Sequence, residues 1–479
     1  MKLVDALQTQ DAVTENGMAT NSSSLNFCVD LFFTIGAMRG QDKERLIRNF
    51  SLAFNEDPTR AMKILFWARD VRGGAGERQI FKDILAYLVE NQSETLKKNI
   101  GLISEYGRWD DLLVLAGTKL EEEAFSQVQI AIEADNGLCA KWMPRKGTIA
   151  QRLREFMKMS PKQYRKTLVN LTNVVETKMC ANKWEAIEYG KLPSLASARY
   201  QKAFWKRDGE RYKLYVEKLT KGEEKINAGA VYPYDVTKSL ERGNKDVANA
   251  QWKALPNFME GSTERVLPVV DVSGSMMTGA GGNGNVSCMD VSISLGLYIS
   301  ERNEGAFKDA FITFSAEPQL QILKGTLNER FIQLRRADWG YNTDLQKVFT
   351  LILDQAVKNN VPESEMPTKI LILSDMEFDA AIHSSVSSVF SSNTQWSPTA
   401  QQMIQKMFGD AGYKMPEIVY WNIQSRGENI PVSFNESGTA LVSGFSPSIL
   451  KSLLKGEIVS PQQIMDETIL SERYINIIA

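Results

Sequence analysis

The sequence predicts a multidomain chain, all-helical in its N-terminal half and doubly wound α/β in its C-terminal half. Three observations carry that prediction. Up to about residue 260, apolar residues recur at i, i+3, i+4 and i+7, and no strand-type alternation is seen. Beyond residue 260, short β-branched apolar runs alternate with helical stretches, the pattern of βαβ units around a mostly parallel sheet. The charge also changes, from a basic segment in the helical half to an acidic remainder.

Taken in order, residues 1–24 form a polar, Asn/Ser/Thr-rich segment that reads as loop. Residues 25–260 form the helical domain. Segments such as ERLIRNFSLAFN, PTRAMKILFWARDV and RQIFKDILAYLVEN carry the helical period. Asp57-Pro58 marks a helix start, with the proline in the first turn. Further helices are expected over about 119–134, 148–158, 161–179, 181–189, 194–207 and 210–221. Glycine and proline punctuate 227–262. Residues 261–479 form the α/β domain. Strands are expected at 265–271, 310–315, 369–374 and 417–423, with helices over 289–302, 343–358 and 398–408. Their continuous apolar runs suit a sheet covered on both faces, with the ligand site at the carboxyl ends of the strands.

Composition narrows the chemistry. The 479 residues carry 56 Lys and Arg against 58 Asp and Glu, for a net charge of -2. The one histidine, His383, excludes mechanisms that need a histidine pair, and a surface or packing role is expected for it. Cys28, Cys139, Cys180 and Cys288 are scattered without a CxxC pair, which argues against zinc and fits reduced thiols. No signal-peptide-like or membrane-spanning apolar run is present, so a soluble, cytoplasmic protein without membrane partners is expected.

The near-zero net charge hides an asymmetry. Residues 141–225 hold 21 Lys and Arg against 9 Asp and Glu. Basic clusters include Lys141, Arg145 and Lys146; Arg152 and Arg154; Lys162, Arg165 and Lys166; and Arg199, Lys202, Lys206, Arg207 and Arg211. Aromatics interleave with them: Trp142, Tyr164, Trp184, Tyr200, Phe204, Trp205, Tyr212 and Tyr215. Basic groups bind phosphates and aromatic faces stack on unpaired bases, so the segment is a candidate RNA interface. The competing reading is a set of amphipathic helices with solvated basic faces and buried aromatics.

A second constellation stands in the α/β half. The first strand runs into Asp271-Val272-Ser273-Gly274-Ser275. A strand ending at Asp271 and turning through Gly274 can aim a carboxylate and two hydroxyls at one point. Thr343 precedes a helix, and Asp375 follows a later strand. These are hard oxygen ligands, suited to Mg²⁺, with Mn²⁺ as the alternative. The 279–285 glycine-rich insert beside them reads as a loop.

Asp271, Ser273, Ser275, Thr343 and Asp375, in that order, resemble the metal-ion-dependent adhesion site (MIDAS) of von Willebrand factor A domains. The resemblance implies direct approach of both serines and Thr343 to the metal, with the aspartates acting partly through water. It also implies an open position for an acidic side chain of a protein partner.

The helical half carries Phe66-Trp67-Ala68-Arg69-Asp70-Val71-Arg72-Gly73-Gly74, then Gly76-Glu77-Arg78. It also carries Glu105-Tyr106-Gly107-Arg108-Trp109-Asp110-Asp111-Leu112-Leu113 and Lys141-Trp142-Met143-Pro144-Arg145. With Ala440-Leu441-Val442-Ser443-Gly444-Phe445-Ser446, these resemble signatures of the Ro autoantigen-like (TROVE) proteins, and more closely an uncharacterised Ro-related family of the same layout. The resemblance covers nearly the whole chain. It implies a ring of HEAT-like helical repeats followed by a von Willebrand A domain. It also implies a non-catalytic ribonucleoprotein component that binds noncoding or misfolded RNA, single-stranded or structured. The RNA contacts would come from Arg72, Arg78, Lys141, Arg145, Lys146, Arg152, Arg154, Arg199, Lys202, Lys206, Arg207 and Arg211. For Arg72 and Arg78, capping of helix carbonyls or pairing with Asp70 and Glu77 competes with that role.

Two enzyme classes are set aside. GGAGER lacks the Gly-Lys-Ser/Thr of a phosphate loop and follows no strand. A two-metal nuclease would need more carboxylates than Asp271, Asp375 and the nearby Asp344 supply. The alternative to RNA binding is a metal-dependent protein–protein adaptor or structural scaffold, with the helical half as a docking surface.

Overall fold

The computed structural model describes residues 11–243, 245–281, 286–314, 318–336, 344–379 and 399–479. Two compact units emerge, and their division crosses the order of the chain. The α/β unit takes residues 1–56 and 257–471; the helical unit takes 57–256 and 472–479. One junction falls after residue 256, and the first 56 residues belong with the α/β part. Hydrogen bonds give the reason. Ser443 Oγ donates to the Phe32 carbonyl at 2.7 Å, and the Gly36 N–H donates to Ser443 Oγ at 3.1 Å. The helix Phe27–Ile35 buries Val29, Leu31, Phe32, Phe33 and Ile35 in that unit. Helical periodicity gives a helix its apolar face but does not say which core covers it.

The polar start of the chain is pinned in the same way. Strands β1 (Ala12–Val13) and β2 (Ala19–Thr20) pair antiparallel. Thr14 Oγ1 then donates to the Phe378 carbonyl at 2.6 Å, and the Asn21 N–H to the Ile430 carbonyl at 3.2 Å.

The main sheet has β3 (Val266–Asp271), β4 (Ala310–Phe314), β5 (Gln319–Ile322), β6 (Lys369–Ser374), β7 (Glu417–Asn422) and β8 (Thr439–Ser443). Their order is β5-β4-β3-β6-β7-β8, with β4–β5 antiparallel and the other pairs parallel. The four expected strands are present. The edge strand β5 and the buried strand β8 join them. All residues of β3, β6 and β8 are buried, as a sheet covered on both faces requires. The chain leaves β3 toward β4 on one side and returns to β6 on the other. The crevice at the carboxyl ends of β3 and β6 is therefore the topological switch point.

The helical unit follows the expected elements with local breaks. Asp57 caps the helix Pro58–Arg69 by accepting the Arg60 N–H at 2.9 Å. The helix expected over 161–179 is split into Pro161–Leu171 and Val175–Cys180 by the extended Thr172. In place of a helix over 181–189 there are two short 3₁₀ turns, Trp184–Ala186 and Tyr189–Lys191. Arg211 ties that stretch down by donating to the carbonyls of Trp184, Glu185 and Ile187 at 2.5, 2.9 and 3.0 Å.

The two longest sequence signatures of this unit are structural. Arg69 Nε pairs with Asp111 at 2.8 Å, both buried. Asp70 accepts the N–H groups of Arg72 and Gly73 at 3.0 and 3.2 Å. It also binds the guanidinium of Arg473 and the Tyr474 hydroxyl. A Cβ on Gly74 would stand 1.9 Å from the Trp67 carbonyl oxygen, and one on Gly107 would stand 2.5 Å from Asp111 Oδ2. These glycines are therefore demanded by close packing.

Candidate metal centre and nucleic-acid interface

The parallel register of β3 and β6 pairs Val270 with Leu373, which brings Asp271 beside Ser374 and Asp375. Ser374 Oγ donates to Asp271 Oδ2 at 2.6 Å, and the Ser273 N–H donates to Asp271 Oδ1 at 2.8 Å. Ser273 Oγ and Ser275 Oγ lie 2.9 Å apart. Asp271, Ser273 and Asp375 are buried, and Ser275 is half-buried. Four of the five expected ligands thus gather at one strand-end crevice. The fifth, Thr343, lies outside the described residues, as do His383 and residues 282–285 of the glycine-rich insert.

Burial, with the nearby Asp375 charge adding to it, pushes the Asp271 carboxyl up to about 7. Two buried carboxylates side by side are relieved either by a proton on one of them or by a cation between them. The chemistry of the donor set, two carboxylates and two hydroxyls, fits a hard divalent cation. Among the described residues no group of three or more His, Cys, Asp or Glu could hold a metal, so a centre here would have to draw on the serine hydroxyls.

Three features of this crevice escape the sequence pattern. Met376, next to Asp375, has φ 66°, the left-handed region that non-glycine residues rarely adopt. Its N–H donates to Ser374 Oγ at 3.1 Å. Glu377 is buried and accepts the Glu15 N–H at 2.6 Å and Asn429 Nδ2 at 2.7 Å, and burial raises its pKa. Finally, the Arg426 guanidinium ion-pairs with Asp375. No local spacing signals Arg426, which reaches the crevice from the loop after β7, and Glu377, two residues beyond Asp375, is singled out only by its burial.

The four cysteines are all thiols, none in a disulfide among the described residues. Cys28, Cys139 and Cys288 are buried and Cys180 is exposed. Burial pushes Cys139 and Cys288 up to about 12, which keeps them protonated and unreactive.

In the helical unit, the basic residues divide into engaged and available groups. Arg152 makes two bonds to Glu121, at 2.7 and 2.8 Å. Arg211 pairs with Asp208 at 2.7 Å besides holding three carbonyls. Arg78 pairs with Asp110 at 2.6 Å rather than with Glu77. Lys141 lies 5.4 Å from the centre of the Trp142 ring, whose face carries Arg108 at 3.6 Å. Arg72 is exposed.

Arg145, Lys146, Arg154 and Arg165 surround a cavity of about 210 Å³ at the start of the helix Thr148–Phe156, with Arg154 also 3.6 Å from Glu155 and Arg165 Nε donating to the Pro161 carbonyl at 3.2 Å. Gly147, Ala150, Gln151, Pro161 and Tyr164 complete its lining, which includes no carboxylate residue. Arg145 Nη2 is held by Thr172 Oγ1 at 3.2 Å. The helix dipole adds to the positive field at its N-terminus. A second basic stripe follows helix Ser194–Arg207, where exposed Arg199, Lys202 and Lys206 recur at i, i+3 and i+7 and Arg207 follows.

Half of the eight interleaved aromatics are core. Phe204, Tyr212 and Tyr215 pack in one buried cluster with Tyr189, and Tyr164 is buried with its hydroxyl on the Pro144 carbonyl at 3.0 Å. Trp205, 47% exposed beside Lys202 and Lys206, is available for stacking.

A family model described as a domain of unknown function, DUF2828, matches residues 14–137 and 138–263. The chain belongs to the DUF2828 family. A second model, DUF7788, also a domain of unknown function, matches residues 265–474. The DUF2828 match begins at residue 14, so it takes in the segment that folds with the α/β unit. The uncharacterized protein L728 of Acanthamoeba polyphaga mimivirus is 29% identical over 527 residues, spanning 97% of this DUF2828 chain and 88% of its own length. The Ro (RSR) protein of Deinococcus radiodurans, known from a crystal structure, is 12% identical with a TM-score of 0.39, over 92% of this chain and 98% of that one. Among the described residues, no helix is long and apolar enough to cross a membrane.

Proposed function

We propose that this DUF2828 protein is a non-catalytic, cytoplasmic RNA-binding protein. Its helical unit, read as HEAT-like, grips noncoding or misfolded RNA. Its α/β unit, read as von Willebrand A-like, binds a divalent cation, Mg²⁺ or Mn²⁺, for partner recruitment. The observation that carries the RNA reading is the cavity of Arg145, Lys146, Arg154 and Arg165, whose lining includes no carboxylate residue. Such a cavity is suited to a phosphodiester, and the stripe of Arg199, Lys202, Lys206 and Arg207 with Trp205 suits the next nucleotides through charge and stacking. The donor set of Asp271, Ser273, Ser275 and Asp375 would hold the cation. When bound, it offers a Lewis-acid point for a carboxylate of a partner protein.

The test is a filter-binding titration with single-stranded RNA across salt. Four phosphate contacts predict a log K against log salt slope of about -3. Affinity no greater than that of a neutral control polymer would overturn the reading. A metal-dependent adaptor without RNA binding is favoured by one observation, the commitment of Arg152 and Arg211 to intrachain partners. The same titration separates the two.

A further inference from the structure

We infer that Arg426 is a built-in cation that competes with a divalent metal ion for Asp375, and that Arg45 sets the strength of that competition by holding the loop that carries it. The inference rests on the metal-centre reading above.

Asp375 is fully buried at its side chain, whereas Arg426 is 23% exposed, so the pair sits at the rim of the crevice with one member open to water. The loop backbone around Arg426 is fixed from several directions. Arg45, on helix Lys43–Glu56, donates to the carbonyls of Ser425, Arg426 and Gly427. The Ser425 N–H donates to the Ala37 carbonyl at 3.0 Å, and Arg48 pairs with Glu428. Beyond it, Asn429 holds Glu377. The guanidinium, by contrast, is incompletely satisfied: its Nε is buried without a hydrogen-bond partner among the described residues. The backbone is thus clamped, while the side chain has a reason to leave and a path to solvent.

Arg426 supplies one positive charge to a crevice that holds Asp271, Asp375 and Glu377. A divalent ion would supply two charges to the same carboxylates, and the two cations repel in a low-dielectric site. Each therefore weakens the other by the same factor. Without the guanidinium, Asp271 and Asp375 repel each other with less compensation, and the demand for a metal rises.

The experiment is a calorimetric titration of Mn²⁺ into the full-length wild type and into Arg426→Gln, Arg426→Lys and Arg45→Gln, each checked for folding by circular dichroism. Arg426→Gln is expected to bind Mn²⁺ about tenfold tighter, Arg426→Lys near wild type, and Arg45→Gln a few-fold tighter as the clamp loosens. Equal or weaker Mn²⁺ binding by folded Arg426→Gln overturns the inference while leaving the metal centre standing. Binding by neither protein overturns both, and binding by Arg426→Gln alone supports both. A second measurement uses the wild type alone, which covers a variant that fails to fold. Phenylglyoxal labelling of Arg426, read by mass spectrometry, is expected to rise when Mn²⁺ is added. Unchanged or reduced labelling overturns the inference.

Discussion

Two arginine–carboxylate pairs, one in each unit, have the same chemistry and opposite settings. Arg69 and Asp111 are both buried, and Asp111 also faces Lys82 at 3.4 Å and accepts the Arg108 N–H at 2.9 Å. Asp111 Oδ2 is taken by Arg69 and the Arg108 N–H, while Oδ1 is buried without a hydrogen bond among the described residues and faces only the cations of Lys82 and Arg78, at 3.4 and 3.7 Å. Arg426 and Asp375 meet instead at the carboxyl edge of a parallel sheet, beside a second carboxylate and two serine hydroxyls. What differs is the backbone that presents each pair. A pair inside a helix-turn junction closes the fold, while a pair at the end of adjacent strands leaves donors facing a crevice. An ion pair's role is therefore set by where the backbone puts it and by how many unused ligands surround it.

The largest effect should come from the closed pair. Asp111→Ala leaves Arg69 buried without its partner, and about 3–5 kcal/mol of stability should be lost in denaturant unfolding. A loss under about 1 kcal/mol would erase the contrast, since the closed pair would then be as dispensable as an exposed one.

The open site should respond to ligand instead. Mn²⁺ at a hundred times its dissociation constant should stabilise the wild type by about 2.7 kcal/mol. Asp271→Asn should abolish that gain without moving RNA affinity. If RNA affinity fell equally, the division of labour between the units would be wrong.

The basic cavity gives a smaller, graded effect. Replacing Arg145 and Arg165 together with Gln should reduce the salt slope of RNA binding by about 1.4, or about 0.7 per lost phosphate contact. The smallest effect is expected at Arg152, whose guanidinium already serves Glu121. Arg152→Gln should leave RNA affinity within about twofold of wild type, and a large loss would place Arg152 in the interface after all.

Much of the fold was legible because it is local. The strands β3, β4, β6 and β7 announce themselves as β-branched apolar runs, and Asp57-Pro58 marks its helix start by capping chemistry. The short edge strand β5, four mostly exposed residues, has too little alternation to be read. Asp271, Ser273, Ser275 and Asp375 could be found because strand ends in a parallel sheet converge on one crevice. Arg426 and Arg45 could not, because their meeting at Asp375 depends on a loop and a helix far apart in the chain. The aromatics of the basic segment show the same limit. Charge and aromaticity are readable at Tyr212 and Tyr215, but only packing decides that those rings face the core while Trp205 faces water.

By itself, the sequence determined the two textures of the chain, the basic bias of residues 141–225 and the oxygen-ligand spacing at the strand ends. Each is a property of neighbours in the chain, set by side-chain period and residue type. The tertiary structure alone decided that residues 1–56 complete the α/β unit, that Arg152 and Arg211 are engaged while Arg145, Lys146, Arg154 and Arg165 share a cavity, and that a guanidinium stands on Asp375. Those outcomes depend on which buried surfaces and charges find each other across hundreds of residues. No local propensity encodes that choice.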